Sequence, residues 1–341
     1  MNGRERVIAT LEFRGPDCVP VMHRTLPGAF RVHGEKLKEL YNLYPSDVML
    51  SPTHNSPFGF TEMSDTEDRP AGRWLDPWGF EWLKLSDDWQ GQVVGHPLSD
   101  WAALDDYQWI DPMIGYDGIE EMMHVMTEDQ HQHYYLGYCG SLFHHMTFLR
   151  GFEAAMLDLA MGNEEILFVR DKVAEITVQR IQAITQAGAD GVLIVDDWGT
   201  QQALFIRPAM WRELFKPTYQ KLVDTIHEGG AYAHFHTDGV TLDILPDLME
   251  IGFDELNPQV WTMDIDELSR LLRGKVCVRA DLDRQFVLCD GTPEEVAEHV
   301  RTTYAAFGLP SGGFIGYGQV GPDTPIENVE AMLRTFGELG P

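Results

Sequence analysis

The chain has 341 residues, 44% of them hydrophobic, and its 54 acidic and 25 basic side chains give a formal net charge of −29. This size and composition are typical of a globular enzyme with a large core, and the dispersed negative charge argues against nucleic acid and anionic membranes as partners. Four cysteines without a CxxC pair, together with the lack of a long apolar run, predict a cytoplasmic protein without structural disulfides or membrane spans.

The first half of the chain predicts an amphipathic N-terminal helix and three strands, at Cys18–His23, Asp47–Ser51 and Tyr134–Gly140. Between the last two strands, residues 53–115 are rich in Trp, Pro, Gly and Asp, a composition that indicates hairpins and turns. We interpret this aromatic-rich stretch as an insertion, or as a lid over the mouth of the fold.

The second half alternates strands with amphipathic helices. The predicted strands are Gly191–Val195, Ala231–His236, a short strand that ends at Asn257, Lys275–Asp281 and Gly313–Tyr317. The predicted helices are Pro208–Glu228, kinked or broken at Pro217, then Leu242–Ile251, Asp264–Leu272, Pro293–Phe307 and Ile326–Leu339. The total of about eight strands favours a single α/β domain over residues 1–341, with the architecture of a (β/α)8 TIM barrel rather than an open doubly wound sheet.

Polar side chains follow most of the predicted strands. In a barrel of parallel strands the carboxyl ends meet on one face, and that face carries the active site. The residues found there are His23, Arg24, His54, Tyr138, Cys139, Asp196, Asp197, His234, His236, Asp238, Glu255, Asn257, Arg279, Asp281, Asp283, Tyr317 and Gln319. Any one of them can be a cap or a hydrogen-bonded scaffold residue, but the set as a whole indicates a site.

His236 and Asp238 form a His-x-Asp pair at the end of one predicted strand, and Asp196 and Asp197 end the strand before it. These side chains can converge on one divalent metal, and imidazole with carboxylate suits zinc, iron, manganese or nickel. Successive residues of an extended strand face opposite sides, so one aspartate of the pair is functional and the other is a cap or a supporting residue. The alternative is a hydrogen-bonded cluster without metal.

Longer motifs extend over nearly the whole chain. They are VPVMHR, DPWGFEW, HPLSDW, LRGFEAAMLDLAM, VDDWGTQQALFIRPAMWRELFKPTYQ, AHFHTDG and GGFIGYGQVGPDTPIENVEAM. Through them the chain resembles the uroporphyrinogen decarboxylase (URO-D) superfamily, in particular its branch of cobalamin-dependent methyltransferases and their uncharacterised relatives. The resemblance implies a (β/α)8 barrel, in agreement with the strand count.

The resemblance implies two competing chemistries. Members that decarboxylate uroporphyrinogen use no metal, and they hold their polycarboxylate substrate with an arginine-bearing N-terminal segment and an aspartate beneath the pyrroles. The matching segment here, PVMHRTLPGAF, has Arg24 but lacks the second, closely following arginine of that pattern. A porphyrinogen substrate is therefore disfavoured.

Members of the methyltransferase branch bind zinc with an acidic residue, a His-x-Cys-Gly motif and a second cysteine on the last strand. Asp196 or Asp197 matches the acidic ligand and His236 the histidine, while Asp238 and Gln319 stand where the cysteines are expected. The resemblance implies that the metal activates a thiol or polarises a methyl donor, and that methyl passes to or from the corrinoid of a partner protein. Loss of both thiolates makes the site harder and less suited to activating sulfur.

Three hypotheses follow. The first is corrinoid-linked methyl transfer involving a small methoxy- or methylamine-type substrate or a thiol, with a divalent metal, zinc by preference, held by Asp197, His236, Asp238 and Gln319. The second is a metal-free or differently metallated decarboxylase or lyase that acts on a small carboxylated substrate, with His236 and Asp197 as acid and base. The third is a non-catalytic binder of a small molecule or of a corrinoid partner.

The other candidates receive roles within these hypotheses. Arg24 and Tyr138 join His236 and Asp197 as predicted catalytic residues. The predicted substrate-binding residues are His23, His54, His234, Asn257, Arg279, Asp281 and Tyr317. A homodimer is the expected assembly, because two-fold dimers are the commonest oligomers of such enzymes.

Overall fold

A ring of parallel strands forms the centre of the protein. The computed structural model describes residues 1–49, 58–59, 69–87, 91–115 and 117–340. Within these ranges the strands are β1 (Val21–Thr25), β2 (Val48–Met49), β3 (Phe58–Gly59), β4 (Gly72–Leu75), β5 (Glu81–Lys84), β6 (Gln92–Gly95), β7 (Tyr134–Tyr138), β8 (Gly191–Val195), β9 (Tyr232–Thr237), β10 (Glu255–Pro258), β11 (Cys277–Asp281) and β12 (Phe314–Val320). The main sheet has the order β1-β12-β11-β10-β9-β8-β7-β2, and its paired neighbours are parallel.

The two end strands of this order, β1 and β2, approach each other and bring the ring close to closure. The N–H of Asp47, next to β2, donates to the carbonyl of Val21 over 2.8 Å, and the Val21 N–H donates to the Asp47 carboxylate over 2.9 Å. Strand β3 pairs with β7 beyond β2, so β2 and β3 share one barrel position. The ring therefore has eight positions, and the predicted (β/α)8 TIM barrel is confirmed.

Helices cover the outside of the ring and alternate with the strands as the sequence predicts. They are α1 (Gly3–Leu11), α2 (Pro27–His33), α3 (Glu35–Leu43), α4 (Asp117–Glu128), α5 (Phe143–Arg150), α6 (Phe152–Met161), α7 (Glu164–Gln186), α8 (Pro208–Leu214), α9 (Lys216–Glu228), α10 (Leu245–Ile251), α11 (Ile265–Leu272), α12 (Val287–Asp290), α13 (Pro293–Phe307) and α14 (Ile326–Glu338). In the described ranges, no helix combines the length and the apolar character that crossing a bilayer needs.

Two predicted helices differ from the observed ones at prolines. The predicted helix 208–228 divides into α8 and α9, because Pro217 lies in the first turn of α9 and has no N–H with which to continue α8. Helix α10 begins at Leu245 rather than Leu242. Its Pro246 fits the first turn of a helix but not its interior, so the helix starts directly before it.

The aromatic-rich stretch contains the predicted hairpins. Strands β4, β5 and β6 form a three-stranded antiparallel sheet. Trp82 of β5 packs on α5, with its ring centroid 5.8 Å from that of Phe148. The turn between β4 and β5 adds Trp78, 4.5 Å from His145, and Phe80, 5.6 Å from Phe148. This sheet therefore rests on the helix that follows β7, while a role as a lid stays a prediction.

The barrel interior is apolar near the amino-terminal ends of the strands and polar near their carboxyl ends. At the apolar end, Val7 and Leu11 of α1 pack with Met22, Val48 and Ile315 of the strands. Higher up, alternate residues of β9, β10 and β11 place polar side chains inside the ring, because successive residues of a strand face opposite sides. These polar residues form the candidate site.

Candidate active site

A lower layer of polar side chains, Tyr134, His234, Glu255 and Arg279, spans the barrel interior. The Tyr134 hydroxyl donates to Nε2 of His234 over 2.7 Å, and Nδ1 of His234 donates to Glu255 over 2.7 Å. The other oxygen of Glu255 accepts from Nε of Arg279 over 3.2 Å. Each of the four is at most 2% exposed. Because they are buried and bonded to one another, His234 and Arg279 form scaffold beneath the site rather than a surface for substrate.

Electrostatics and packing both preserve the lower layer. Burial raises the pKa of Glu255, but Arg279 and His234 outweigh it and hold that pKa below its ordinary value. Gly191 makes room for the layer, since a Cβ there would lie 2.3 Å from the Tyr134 hydroxyl and 2.7 Å from Nε2 of His234. A glycine at the start of β8 is thus required by the hydrogen bond between these two side chains.

A second polar layer, the upper layer, lies at the carboxyl ends of the strands and begins two residues further along β9, at His236. Its members are Asp197, His236, Asp238, His144, Asp281, Arg284 and Gln319. Nε2 of His236 lies 3.8 Å from Oδ1 of Asp197 and 3.7 Å from Oδ1 of Asp238. Each of the three residues offers a ligand atom within 4.8 Å of the other two, and we call them the Asp–His–Asp cluster. The two loops that carry the aspartates touch at Gly239, which has φ of 84° and where a Cβ would lie 2.2 Å from Gly199.

Asn257 sets the tautomer of His236. The Asn257 amide nitrogen donates to the carbonyl of Arg279, so its Oδ1 is the atom that faces Nδ1 of His236, at 2.7 Å. Nδ1 therefore carries the hydrogen of the neutral ring, and Nε2 presents its lone pair to two carboxylates. A lone pair beside two negative oxygens is unfavourable, and either a proton on Nε2 or a bound cation removes the repulsion.

The aspartate pair after β8 divides into a structural and an exposed member. Asp196 is fully buried and accepts hydrogen bonds from the N–H groups of Leu142 and His144, each over 2.9 Å, and from the Tyr219 hydroxyl over 2.7 Å. It thereby binds the amino end of α5. Asp197 is half-buried, and its Oδ1 accepts the N–H of Asp238 over 2.8 Å.

His144 is the cationic partner of Asp197. Burial lowers the pKa of His144, but Asp197 and Asp196 outweigh it and raise this pKa to about 8. Nε2 of His144 lies 3.5 Å from Oδ2 of Asp197 and 3.3 Å from the backbone nitrogen of Asp197, so it pairs with the carboxylate when it carries a proton. Burial raises the pKa of Asp197, but His144, His236 and the Asp238 N–H hold it well below its ordinary value.

Arg284 joins the upper layer from the loop after β11. Its guanidinium donates to Oδ2 of Asp238 and, over 2.6 Å, to the amide oxygen of Gln319, and it lies 3.3 Å from Oδ2 of Asp281. Gln319, a predicted metal ligand, thus has Arg284 as its partner. Asp281 is 3% exposed, and burial, offset in part by Arg284, raises its pKa to about 6.

The Asp–His–Asp cluster fits a divalent metal. A tetrahedral ion with bonds of about 2.1 Å keeps its ligand atoms about 3.4 Å apart. The distances from His236 Nε2, 3.7 and 3.8 Å, are therefore only a few tenths of an ångström too long. Oδ1 of Asp238 is buried and has no hydrogen-bond partner among the described residues, as expected of an oxygen placed to bind an ion. One imidazole and two carboxylates suit zinc, iron or manganese.

The remaining predicted residues have other partners in the barrel. Arg24 is paired in register with Gln319 and faces the interior, and the Tyr138 hydroxyl lies 3.1 Å from Oγ of Ser141. Tyr317 is buried, with the Arg279 guanidinium 5.0 Å from its ring centroid. The prediction for His54 lies outside the described residues.

The structure does not bring His23 to the site. Met22 faces the barrel interior, so His23 faces the other way and stacks on Tyr41, with ring centroids 4.1 Å apart. Burial there lowers the pKa of His23 to about 4. The sequence predicts that both His23 and Arg24 lie at the mouth, but adjacent residues of an extended strand cannot share a face.

Sequence reasoning missed two members of the upper layer, His144 and Arg284. His144 lies in the first turn of α5, six residues after Tyr138, and Arg284 lies in the loop after β11, three residues after Asp281. The sequence shows a basic residue shortly after each strand, but it does not show that these side chains turn back to the acids of neighbouring strands.

The fold is a (β/α)8 barrel with polar side chains at the carboxyl ends of its strands. The chain belongs to the uroporphyrinogen decarboxylase (URO-D) family, because the model of that family matches residues 86–339. The uroporphyrinogen decarboxylase of Azoarcus sp. (strain BH72) is 29% identical over 169 residues, which are 48% of this chain and 44% of that protein. The enzyme of Thermus thermophilus is 28% identical over 190 residues, 52% of this chain and 51% of its own. The matches thus span about half the length of these relatives.

A solved structure extends the likeness to the whole chain. A methyltransferase from Methanosarcina mazei superposes with a TM-score of 0.73 and covers 99% of both chains. Its sequence is 16% identical, so this likeness shows the fold. The two relatives are decarboxylases, and the solved structure is a methyltransferase.

Proposed function

We propose that this protein is a metal-dependent methyltransferase that moves a methyl group between a small methoxy- or methylamine-type substrate and the corrinoid of a partner protein. The observation that carries the proposal is the Asp–His–Asp cluster at the carboxyl ends of β8 and β9, with the tautomer of His236 set by Asn257. A decarboxylase that works without metal has no need of this arrangement. The full-length likeness to a methyltransferase fold supports the same choice.

Each upper-layer residue has a part in this function. Asp197, His236 and Asp238 would hold the metal, which would supply a Lewis acid for a methoxy oxygen, or for an amine nitrogen once that nitrogen has given up its proton. His144 and Arg284 each neutralise the second oxygen of one aspartate, so that two carboxylates can lie together. When methyl leaves, its bonding electrons stay on the donor atom and the acceptor supplies the pair for the new bond.

A second candidate is decarboxylation of a small carboxylated substrate, and Asp281 favours it. Loss of carbon dioxide leaves a carbanion that needs a proton. A buried carboxyl group with a pKa of about 6 holds a proton near neutral pH and can deliver it. His236 and Asp197 are the acid and base of this alternative.

Metal analysis of the purified protein tests the proposed cluster. We expect about one divalent ion per chain in the wild type and loss of most of it in His236→Ala, because the ion loses its only nitrogen ligand. His227→Ala is the matched control, since His227 also has a carboxylate partner, Asp254 at 2.8 Å, but lies far from the cluster in the fold and is 41% exposed at its side chain. A wild type that is active without metal would contradict the proposal.

The reaction is tested with a screen of methoxy compounds and methylamines, each incubated with a reduced corrinoid protein. We expect methylation of the corrinoid by at least one donor, with loss of turnover in His236→Ala. Release of carbon dioxide from a small carboxylic acid, without methyl transfer, would instead support the second candidate. Tight binding of a compound with neither product would indicate a non-catalytic binder.

A further inference from the structure

A small cavity adjoins the upper layer on the side of Arg284. Its volume is about 150 Å³, and residues from the loops after β8, β10 and β11 line it. We call it the Asp281 cavity, and its lining includes Gln201, Gln259, Trp261, Asp281, Arg284 and Phe286. Because Arg284 also contacts Asp238, the cavity lies directly beside the Asp–His–Asp cluster.

Asp281 is the unusual member of this lining. It is 3% exposed, and neither carboxyl oxygen has a hydrogen-bond partner among the described residues. Arg284 lies 3.3 Å from Oδ2, but it directs its hydrogen bonds to Gln319 and Asp238. A buried carboxyl group without donors is costly, so Asp281 is complementary to a ligand that brings N–H or O–H groups.

The other polar groups of the lining mostly have partners within the protein. Gln201 donates to Gln259 over 3.3 Å, and Gln259 also accepts the N–H of Gly239 over 3.0 Å. Two aromatic rings, Trp261 and Phe286, complete the walls, and Phe286 is 66% exposed at the edge of the cavity. The Arg284 guanidinium of the lining is occupied by Gln319 and Asp238. The lining thus leaves an acid without hydrogen bonds beside aromatic surface, a combination that attracts an organic cation.

We propose that the Asp281 cavity binds a small protonated amine, whose N–H donates to Asp281 and whose methyl groups contact Trp261 and Phe286. The volume equals that of about five water molecules at about 30 Å³ each, which accommodates a methylated amine of four or five non-hydrogen atoms. This inference rests on the proposed function, because it names the amine as the methyl donor.

The same groups disfavour the competing substrates. A small carboxylate could approach Arg284, but Arg284 already donates to Gln319 and Asp238. The carboxylate would also lie against the charge of Asp281 and, at the rim, that of Asp283. A methoxyaryl compound has no donor for Asp281 at its ether oxygen, so binding it would leave the buried acid unpaired.

Calorimetric titration of the chelator-treated protein, without corrinoid, tests the inference. The probes are trimethylammonium, tetramethylammonium, tert-butanol and acetate. We expect trimethylammonium to bind with a millimolar or lower Kd. Tetramethylammonium, which lacks N–H, and the neutral tert-butanol bind more weakly, and acetate does not bind. Equal binding of tert-butanol and trimethylammonium, or no amine binding to the wild type, would overturn the proposal.

Variants locate the amine. Asp281→Asn should weaken trimethylammonium about tenfold or more, because a charge-assisted hydrogen bond is lost. Phe286→Ala, at an exposed position where folding is not at risk, should weaken it about threefold through loss of a cation–π contact. Asp290→Asn is the charge-matched control on exposed α12 surface and should change nothing. Unchanged binding in Asp281→Asn contradicts the assignment.

These results separate the two proposals. If amine binding depends on Asp281 but the protein never transfers methyl to a corrinoid, the amine site is supported and the proposed function is refuted. Methyl transfer from a methoxy compound, in a protein that binds no amine, refutes only the amine.

Discussion

The two polar layers of the barrel interior contain similar residues but differ in how many of their polar atoms have hydrogen-bond partners. In the lower layer both nitrogens of His234 and both oxygens of Glu255 have partners, and only Nη2 of Arg279 lacks one. In the upper layer Oδ1 of Asp238 and both oxygens of Asp281 have no hydrogen bond within the described residues. His234 and His236 are two positions apart on one strand, yet one completes a closed network and the other faces open acceptors.

Scaffold and site residues are therefore distinguished by whether their polar atoms have hydrogen-bond partners, not by their residue type. A complete buried network stabilises one arrangement of the barrel, whereas unsatisfied groups carry an energetic cost that a ligand can remove. The lower layer should therefore respond to substitution with lost stability, and the upper layer with lost binding.

The largest expected effect is on the lower layer. Glu255→Gln leaves the buried Arg279 without its counter-charge, and we expect the free energy of unfolding to fall by about 3–5 kcal/mol. Urea unfolding measures it. The matched control is Glu250→Gln, which breaks the exposed ion pair with Lys216 at 2.7 Å and should cost less than about 1 kcal/mol. Equal effects in the two variants would remove the distinction between network and surface.

In the upper layer, substitution of Asp281 should increase the free energy of unfolding rather than decrease it. Burial raises the pKa of this carboxyl from 3.8 to about 6, so the folded state favours the protonated acid. The stability this contributes is complete below the unfolded pKa and is lost as pH rises through about 6. Asp281→Asn mimics the neutral form and should be more stable than the wild type at about pH 7.5, by about 2 kcal/mol.

The pH dependence checks the cause of that gain. In chelator-treated protein the advantage of Asp281→Asn should increase by about 1 kcal/mol between about pH 5 and about pH 7.5, as followed by urea unfolding. Asp290→Asn should show no such slope. An advantage that is independent of pH would mean that the carboxyl is not the source.

The last expected effect is on the link between the layers, and it is measured as metal affinity rather than as stability. Asn257→Leu keeps the side-chain size but removes the acceptor for Nδ1 of His236, and zinc affinity should fall about 10–100-fold in a competition titration. His236→Ala sets the lower limit of affinity in the same assay. Unchanged affinity in Asn257→Leu would show that the tautomer of His236 is fixed by something else.

Much of the fold could be predicted from the sequence, because strand and helix periods are local. The alternation after residue 190 predicts the strands and helices of the second half, and errors of a few residues arise at prolines such as Pro246. The order of strands around the ring followed from the same alternation. The contact of β4–β6 with α5 could not be predicted, since it depends on side chains far apart in the chain.

The site was predicted only where its residues end strands. Asp197, His236 and Asp238 were placed together because the carboxyl ends of parallel strands meet. The strand pattern did not say which face of β1 is interior, so His23 was assigned to the site with Arg24. The position of His144 depends on how the first turn of α5 is placed against β8, and that of Arg284 on the path of the loop after β11, and local sequence determines neither.

Arg284 makes the two halves of the upper layer thermodynamically dependent on each other. One guanidinium is shared by Asp238 and Asp281, which come from different strands. A ligand that draws Arg284 away from either acid alters the charge that the other one feels. The affinities of the Asp–His–Asp cluster and of the Asp281 cavity are then linked by a single coupling free energy, equal in both directions. A ligand bound at one therefore changes the affinity of the other.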